Sequence, residues 1–398
     1  MNREDFEILK DGLIYLDNAA TTMKPKKVVD AIVEYYTKYT ANAHRGDYDN
    51  SIRVDMEYEG VREKVRKFIN ASRPEEIVFT KGSTESFNML IFGFMSYYLK
   101  KGDEVILSKD EHASNILPWM NLSKKIGFTI KYVKLNENYE LTMENLNKEI
   151  TKNTKVITLA HITNTIGDVR PIEKIGELCK KNNILFVLDA TQSIGHIKID
   201  VEKNNISFMG FSAHKMLGPT GVGVLYGKKE LLDNLVPIEL GGGMNVSFSS
   251  AGEYTIKDLP ARLEAGTRNI AGVIGMGAAI DYLEEIGLEK IHNYEIELKK
   301  YLIEKLSKIP NITIYNKDTT SGVLLFNVDK YFSQDVAIYL NKFKICIRAG
   351  NHCAKMLEEV ICATNTCRIS LYLYNTKEEI DKLVEALKNQ DKILDTLV

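Results

Sequence analysis

The stretch ILFVLDATQS, residues 184–193, decides the fold. Its apolar residues run without alternation and stop at Asp189. A short, continuous apolar run of this kind is a strand buried on both faces, which belongs to a mostly parallel sheet covered by helices. The neighbouring sequence repeats the pattern. Upstream, KVITLAHI (155–162) reads as a strand and 171–181 as the helix that follows it. Further back come the strand EEIVFT (75–80), a helix in STESFNMLIFGFMSYYLK (83–100), the strand EVILS (104–108), a helix over 114–126, the strand TIKYVKL (129–135) and a helix over 142–150 capped by Thr142. In the first of these helices Phe87, Leu90, Ile91, Phe94 and Tyr98 share one face. Downstream, ISFMGFSA (206–213) and GVGVLYG (221–227) are two more strands. The expected fold is α/β, with a large domain over 17–261 built on a mostly parallel seven-stranded sheet sandwiched by helices.

From about residue 262 the character changes. AGVIGMGAAIDYLEEIG (271–287) leads into a long charged helix near 288–308. GVLLFNV (322–328) and ICIRA (345–349) read as strands. A last helix starts near 377, with Leu383, Val384, Leu387 and Ile393 on one face. Residues 1–16 and 262–398 are expected to form a smaller α+β domain.

The formal net charge is −2, with 44% hydrophobic and 27% charged residues. That balance suggests neither nucleic acid nor an anionic membrane as partner. No apolar run approaches the roughly 18 residues of a membrane span, and MNREDFEILK lacks a signal-peptide core. Five cysteines in 398 residues do not form a disulfide framework. The expected setting is a reducing one, the cytoplasm.

In a parallel α/β sheet ligands bind outside the carboxyl ends of the strands, so the residues just after each strand carry the functional reading. TKGSTES (80–86) puts Gly82, Ser83 and Thr84 at a helix N-terminus, as an anion site or as an ordinary cap. Asp189 needs a partner if buried, which a helix cap, a metal or a protonated ring nitrogen could supply. In FSAHKMLGPTGVG (211–223), Lys215 follows a strand among tight-turn residues. There it is either a surface lysine or a lysine desolvated for attack on a carbonyl. His112 in SKDEHASN (108–115) also follows a strand, with structural and functional readings both open. Cys353 lies in RAGNHCAKM (348–356), a polar segment where a core cysteine is not expected. The spacing of Cys346, Cys353, Cys362 and Cys367 contains no C-x2-C pair of the kind found in zinc ribbons, and no metal is expected. A phosphate cup, a lysine for an aldehyde, an acid for a pyridinium and a histidine for a ring are the groups pyridoxal 5'-phosphate requires.

These segments, with YLDNAAT (15–21), NAHRG (42–46), HITNTIG (161–167), LEAGTRN (263–269) and CRISLYLYNT (367–376), resemble class V aminotransferase-fold enzymes, most closely the Suf-type (group II) cysteine desulfurases. The similarity runs nearly end to end. It implies pyridoxal phosphate held by Lys215, with His112 stacked on the ring, Asp189 at the ring nitrogen and Gln192 at the ring hydroxyl. It places Ser83, Thr84, Ser212 and His214 at the phosphate, joined by Thr267 from a second subunit of a homodimer. It implies Asn164 and Arg368, with Arg348 and His44, as residues that bind L-cysteine. Cys353 would be the nucleophile that accepts sulfur as a persulfide. The products would be L-alanine and sulfur passed to an acceptor protein of iron–sulfur cluster assembly. A selenocysteine lyase or a class V aminotransferase would share the cofactor site. The latter would have no need of Cys353 and would yield a keto acid. The chain departs from the family at Ala113, Asn351 and Met356, which surround the substrate and the cysteine loop.

Overall fold

The structure, a computed structural model, describes residues 3–44 and 46–396. Seven strands form the main sheet: β1 (Ile77–Thr80), β2 (Glu104–Ser108), β3 (Thr129–Val133), β4 (Thr154–Ala160), β5 (Leu185–Asp189), β6 (Phe208–Ser212) and β7 (Gly223–Gly227). Their spatial order is β1-β7-β6-β5-β4-β2-β3. Only β7 runs antiparallel to its neighbours, β6 and β1. The other contacts are parallel, in line with the unalternating apolar runs. Every residue of β1, β6 and β7 is buried, whereas the edge strand β3 is largely half-exposed.

The helix expected over 83–100 is divided. Helix α1 (Ser83–Leu90) passes into one wide π-turn, Ile91–Met95, before a last short turn. Gly93 lies in that wide turn, packed so closely on the Val236 carbonyl that a Cβ there would stand 2.5 Å from its oxygen. The helix expected from 114 begins at Leu117, after a 3-10 turn over Ala113–Asn115.

A second sheet of four antiparallel strands has the order β8-β9-β11-β10, where β8 is Ile312–Ile314, β9 Val323–Val328, β10 Arg348–Gly350 and β11 Thr366–Ser370. The N-terminal segment reaches this body: Ile14 pairs with Ile345, Tyr15 with Cys346, and Asp17 bridges to Ser370. Ile14 and Leu16 accordingly lie in the core of the small sheet. Phe6, Leu9 and helix α2 (Ile270–Ile286) bury their side chains in the large core instead. Helix α3 (Leu288–Leu306) and helix α4 (Lys377–Lys388) cover the small sheet. Ile393 lies beyond the end of α4 yet is buried in the same cluster.

One close approach joins sheet to site. A Cβ on Gly223 would stand 2.5 Å from the Phe211 carbonyl oxygen and 2.6 Å from the Cα of Gly82. Gly82, at φ +150°, is the residue before α1. Glycine in β7 is therefore what lets the start of α1 sit against the end of β6. Gly223→Ala is expected to destabilise the fold by about 1–3 kcal/mol, the usual cost of overpacking, seen as a lower urea midpoint. An unchanged midpoint would show that the Gly82 turn yields freely.

Candidate active site

The carboxyl ends of the central strands open into one cavity of about 220 Å³. It is lined by Ser83, Thr84, His112, Asn164, Asp189, Gln192, Ser212, His214, Lys215, Arg348, Cys353 and Arg368, together with His352 and small residues. All but two of the residues expected at the site thus meet at one place. The exceptions are His44 and Thr267. They lie at a separate cleft of about 330 Å³ lined by Asn42, His44, Glu59, Arg62, Glu264 and Arg268, where Asn42 reaches Thr267 Oγ1 at 3.4 Å. Both are exposed.

One end of the cavity is built from hydroxyls and a helix start. The backbone N–H of Ser83 donates to Ser212 Oγ (2.8 Å), and Ser212 Oγ donates to Ser83 Oγ (3.0 Å). Thr84 Oγ1 pairs with Ser114 Oγ at 2.8 Å. Free N–H groups at the head of α1 and these hydroxyls suit an anion. His214 sits beside them. Burial, with Lys215 and Lys24 nearby, lowers its pKa to about 4, so the ring is neutral at physiological pH.

Lys215 ends the 3-10 turn that follows β6. Among the described residues its amine has no hydrogen-bond or ion-pair partner. Burial, reinforced by the positive charge of Arg368, lowers its pKa to about 8, against the opposing pull of Asp189 and Cys353. Asp189, at the end of β5, is buried, and its Oδ1 accepts from the Thr191 N–H at 2.9 Å. Gln192 donates its amide to the Ala19 carbonyl (2.8 Å). His112 caps the 3-10 turn after it, its Nδ1 accepting from Ser114 N at 3.1 Å. Burial and then Lys215 push its pKa down.

The opposite wall belongs to the small sheet. Arg368 on β11 is buried. It donates to the Asn164 carbonyl (2.9 Å) and to Asp17 Oδ1 (2.9 Å), while its Nε has no partner. Arg348 stands directly opposite on β10 and reaches Asp17 Oδ2 at 3.4 Å. A guanidinium that lines a cavity suits a carboxylate. Cys353 is exposed, on the loop after β10.

Sequence reasoning missed two supports. Asp17 sits just after the N-terminal strand, a placement that could have marked it as a counter-charge. The second is a buried cluster below His112. There Arg170 binds Asp110 (2.6 Å) and Glu111 and lies 3.6 Å from Asp168. Glu111 also accepts from Ala160 N (3.0 Å) and Asn115 Nδ2 (2.9 Å). Burial raises Glu111, and raises Asp168 to about 6. Among the described residues no group of three or more His, Cys, Asp or Glu could hold a metal ion, and no helix is long and apolar enough to cross a membrane. Of the other cysteines, Cys179 and Cys367 are buried and Cys346 half-buried, while Cys362 is exposed but off the cavity.

A family model described as aminotransferase class-V matches residues 14–383. A probable cysteine desulfurase of Halalkalibacterium halodurans is 41% identical over 384 residues, covering 96% of this chain and 94% of the relative. Another from Synechocystis is 40% identical over 395 residues, covering 97% and 94%. Among solved structures, an apo cysteine desulfurase from Thermococcus onnurineus NA1 superposes with TM-score 0.94 at 37% identity over 98% of this chain and 97% of that one. The Escherichia coli cysteine desulfurase CsdA in an S-sulfonic acid form gives 0.92 at 34% over 100% and 98%.

A lowered lysine pKa has a direct reading. With the value near 8 the neutral, nucleophilic fraction of Lys215 rises from about a tenth at pH 7 to about nine-tenths at pH 9. Acylation of Lys215 in protein free of small molecules, followed by peptide mass, is expected to show a midpoint near pH 8. A midpoint above 10 would contradict the desolvated environment.

Proposed function

This chain belongs to the aminotransferase class-V family and is a cysteine desulfurase, and from that premise we propose that the cavity holds pyridoxal phosphate and L-cysteine together, with Cys353 receiving the sulfur. The observation that carries the reading is the convergence of an unpartnered Lys215 amine, a buried Asp189 and an exposed Cys353 on one cavity.

The residues fit the cofactor. Ser83, Thr84, Ser212 and His214 hold the phosphate, Lys215 the aldehyde carbon, Asp189 the ring nitrogen, Gln192 the ring hydroxyl and His112 the ring face. When bound, pyridoxal phosphate supplies an aldehyde for the amino acid and a ring that withdraws electrons from its α-carbon. Asp189 keeps the ring nitrogen protonated by charge pairing. Arg368 and Asn164, both lining the cavity, bind the carboxylate of L-cysteine, and Arg348 adds positive charge at the mouth. Lys215, whose lowered pKa of about 8 leaves part of the amine neutral near pH 7, accepts and returns the α-proton. His112, neutral through burial, relays a proton at the sulfur. Cys353 as thiolate attacks the substrate sulfur. The new S–S bond forms as the Cβ–S bond breaks, the bonding pair passes to the carbon fragment, and protonation releases L-alanine. Cys353 is left as a persulfide, whose terminal sulfur passes to an acceptor protein serving iron–sulfur cluster assembly. The activity is cytoplasmic.

The working unit is a homodimer. Thr267 and His44 lie outside this protomer's cavity and would serve the partner's. Apolar side chains stand exposed on the neighbouring helices Lys26–Lys38 and Asp49–Phe68: Val33 51%, Tyr36 62%, Met56 71%. A fully active, monodisperse monomer in sedimentation would overturn this assignment.

Cys353→Ala is expected to retain cofactor absorption and binding of L-cysteine, while alanine release falls at least about a hundredfold. Peptide mapping of the wild type after brief exposure to cysteine should place the added sulfur on Cys353. Sulfur chiefly on Cys362, or wild-type turnover by the variant, would assign the nucleophile elsewhere.

A further inference from the structure

The backbone of the cysteine loop is improbable taken alone. Gly350 has φ +121°, and two successive non-glycine residues, His352 (φ +52°) and Cys353 (φ +58°), lie in the left-handed region. A residue with a Cβ is disfavoured in that region. Contacts from outside must therefore hold the loop in this shape, and they are identifiable.

The His352 side chain, 6% exposed, turns away from solvent into the small sheet. Its Nε2 stands 2.9 Å from Thr366 Oγ1 and 3.2 Å from the Thr366 carbonyl. A carbonyl only accepts, so Nε2 carries the hydrogen. Nδ1 is buried without a partner. Thr366 is the first residue of β11, two positions before Arg368, and pairs in register with Gly350. The His352 carbonyl accepts from Asn164 Nδ2 at 2.7 Å. The Cys353 carbonyl accepts from the N–H of Ala113 at 2.8 Å, next to the ring histidine. The Ala354 N–H closes the turn on Asn351 at 2.8 Å.

We propose that His352 is a positioning residue: its ring, hydrogen-bonded to Thr366, anchors the left-handed loop that presents Cys353 to the substrate sulfur. The proposal rests on the desulfurase reading above. The anchor acts between elements that already serve the substrate. Asn164 bonds the loop through its side chain and Arg368 through its carbonyl, so nucleophile and carboxylate site share one framework. His352 itself does no acid–base work. Burial and the nearby Arg368 hold its pKa near 3, and the ring stays neutral over the working range.

The test uses holoenzyme carrying His352→Phe, His352→Gln, Thr366→Val and the double variant His352→Phe/Thr366→Val. His352→Phe keeps a buried ring but loses the hydrogen bond. It is expected to lower kcat about tenfold, the upper range for one neutral hydrogen bond, with KM for L-cysteine within twofold and cofactor absorption unchanged. Thr366→Val should lower kcat about threefold. The double variant should be no worse than His352→Phe, because both remove one contact. His352→Gln should recover most of the loss. The pH profile of kcat should keep its shape. Hydrogen exchange supplies a readout independent of turnover: the amides of Ala113 and Ala354 should exchange about tenfold faster in His352→Phe.

Unchanged exchange, additive losses in the double variant, or a displaced pH profile would each overturn the anchoring role. So would faster exchange at undiminished kcat when Cys353→Ala is inactive. If Cys353→Ala is itself active, the reading of Cys353 fails, and exchange at Ala113 and Ala354 still decides whether His352 holds the loop.

Discussion

Arg368 imposes the constraint on which the rest of this molecule turns. A guanidinium 2% exposed inside a protein is strongly unfavourable unless its donors are met. Two of them are met by groups that come from opposite ends of the chain's logic. Asp17 is delivered by the N-terminal segment, which must cross to the small sheet to reach it. The Asn164 carbonyl is delivered by the loop after β4, so the large sheet must dock against the small one at that point. The same side chain also lines the cavity. The stabilisation of one buried charge and the assembly of the substrate wall are thus a single requirement, and Asp17, which also faces Arg348, keeps two opposed arginines from repelling each other across β10 and β11.

Much of this was legible in the sequence because it is local. Asp189, Lys215 and His112 each follow a strand within a few residues, and a parallel sheet places such residues together at its carboxyl edge. The continuous apolar runs identify the strands, and the count of seven follows from them. What was illegible is long-range. Nothing near Asp17 reports Arg368, some 350 positions away. Nothing near Arg170 reports Asp110 and Glu111 about 60 positions back. The segment 271–287 reads as the opening of a new unit because its glycines break the charged pattern. Those same glycines let α2 press into the large core, where a Cβ on Gly277 would stand 2.5 Å from Val61.

The same logic governs the second cleft. Glu264 is buried and accepts from Arg62 (2.8 Å), Tyr58 (3.2 Å) and the backbone N–H of Phe79 in β1 (2.7 Å). Three residues on is Thr267. This exposed residue is thus tied, through the nearby Glu264, to the first strand of the main sheet, which Gly82 and Ser83 follow. The segment that would complete a partner's phosphate site and the one that forms this protomer's own are referred to the same backbone. In the proposed dimer the relative placement of these two segments would depend on a buried ion pair, with Arg62 2% exposed and Glu264 9% exposed.

The proposal of one cysteine among five as nucleophile is a matter of placement. Burial removes Cys179 and Cys367: it raises the Cys179 thiol to about 12 and Cys367 further, so neither provides thiolate near neutral pH. Cys346 is half-buried in the strand that receives the N-terminal segment, and burial raises it too. Cys353 and Cys362 remain. Both are exposed and both have positive φ, so neither exposure nor backbone strain distinguishes them. The difference is that Cys353 belongs to a turn whose carbonyls are bonded to Asn164 and to the Ala113 N–H, and it lines the cavity that holds Lys215. Cys362 ends the short helix Glu358–Ile361, outside that cavity. On the proposed reading, Cys353 would become a sulfur acceptor through the contacts of its backbone, because those contacts would fix where it points when the substrate carboxylate is on Arg368.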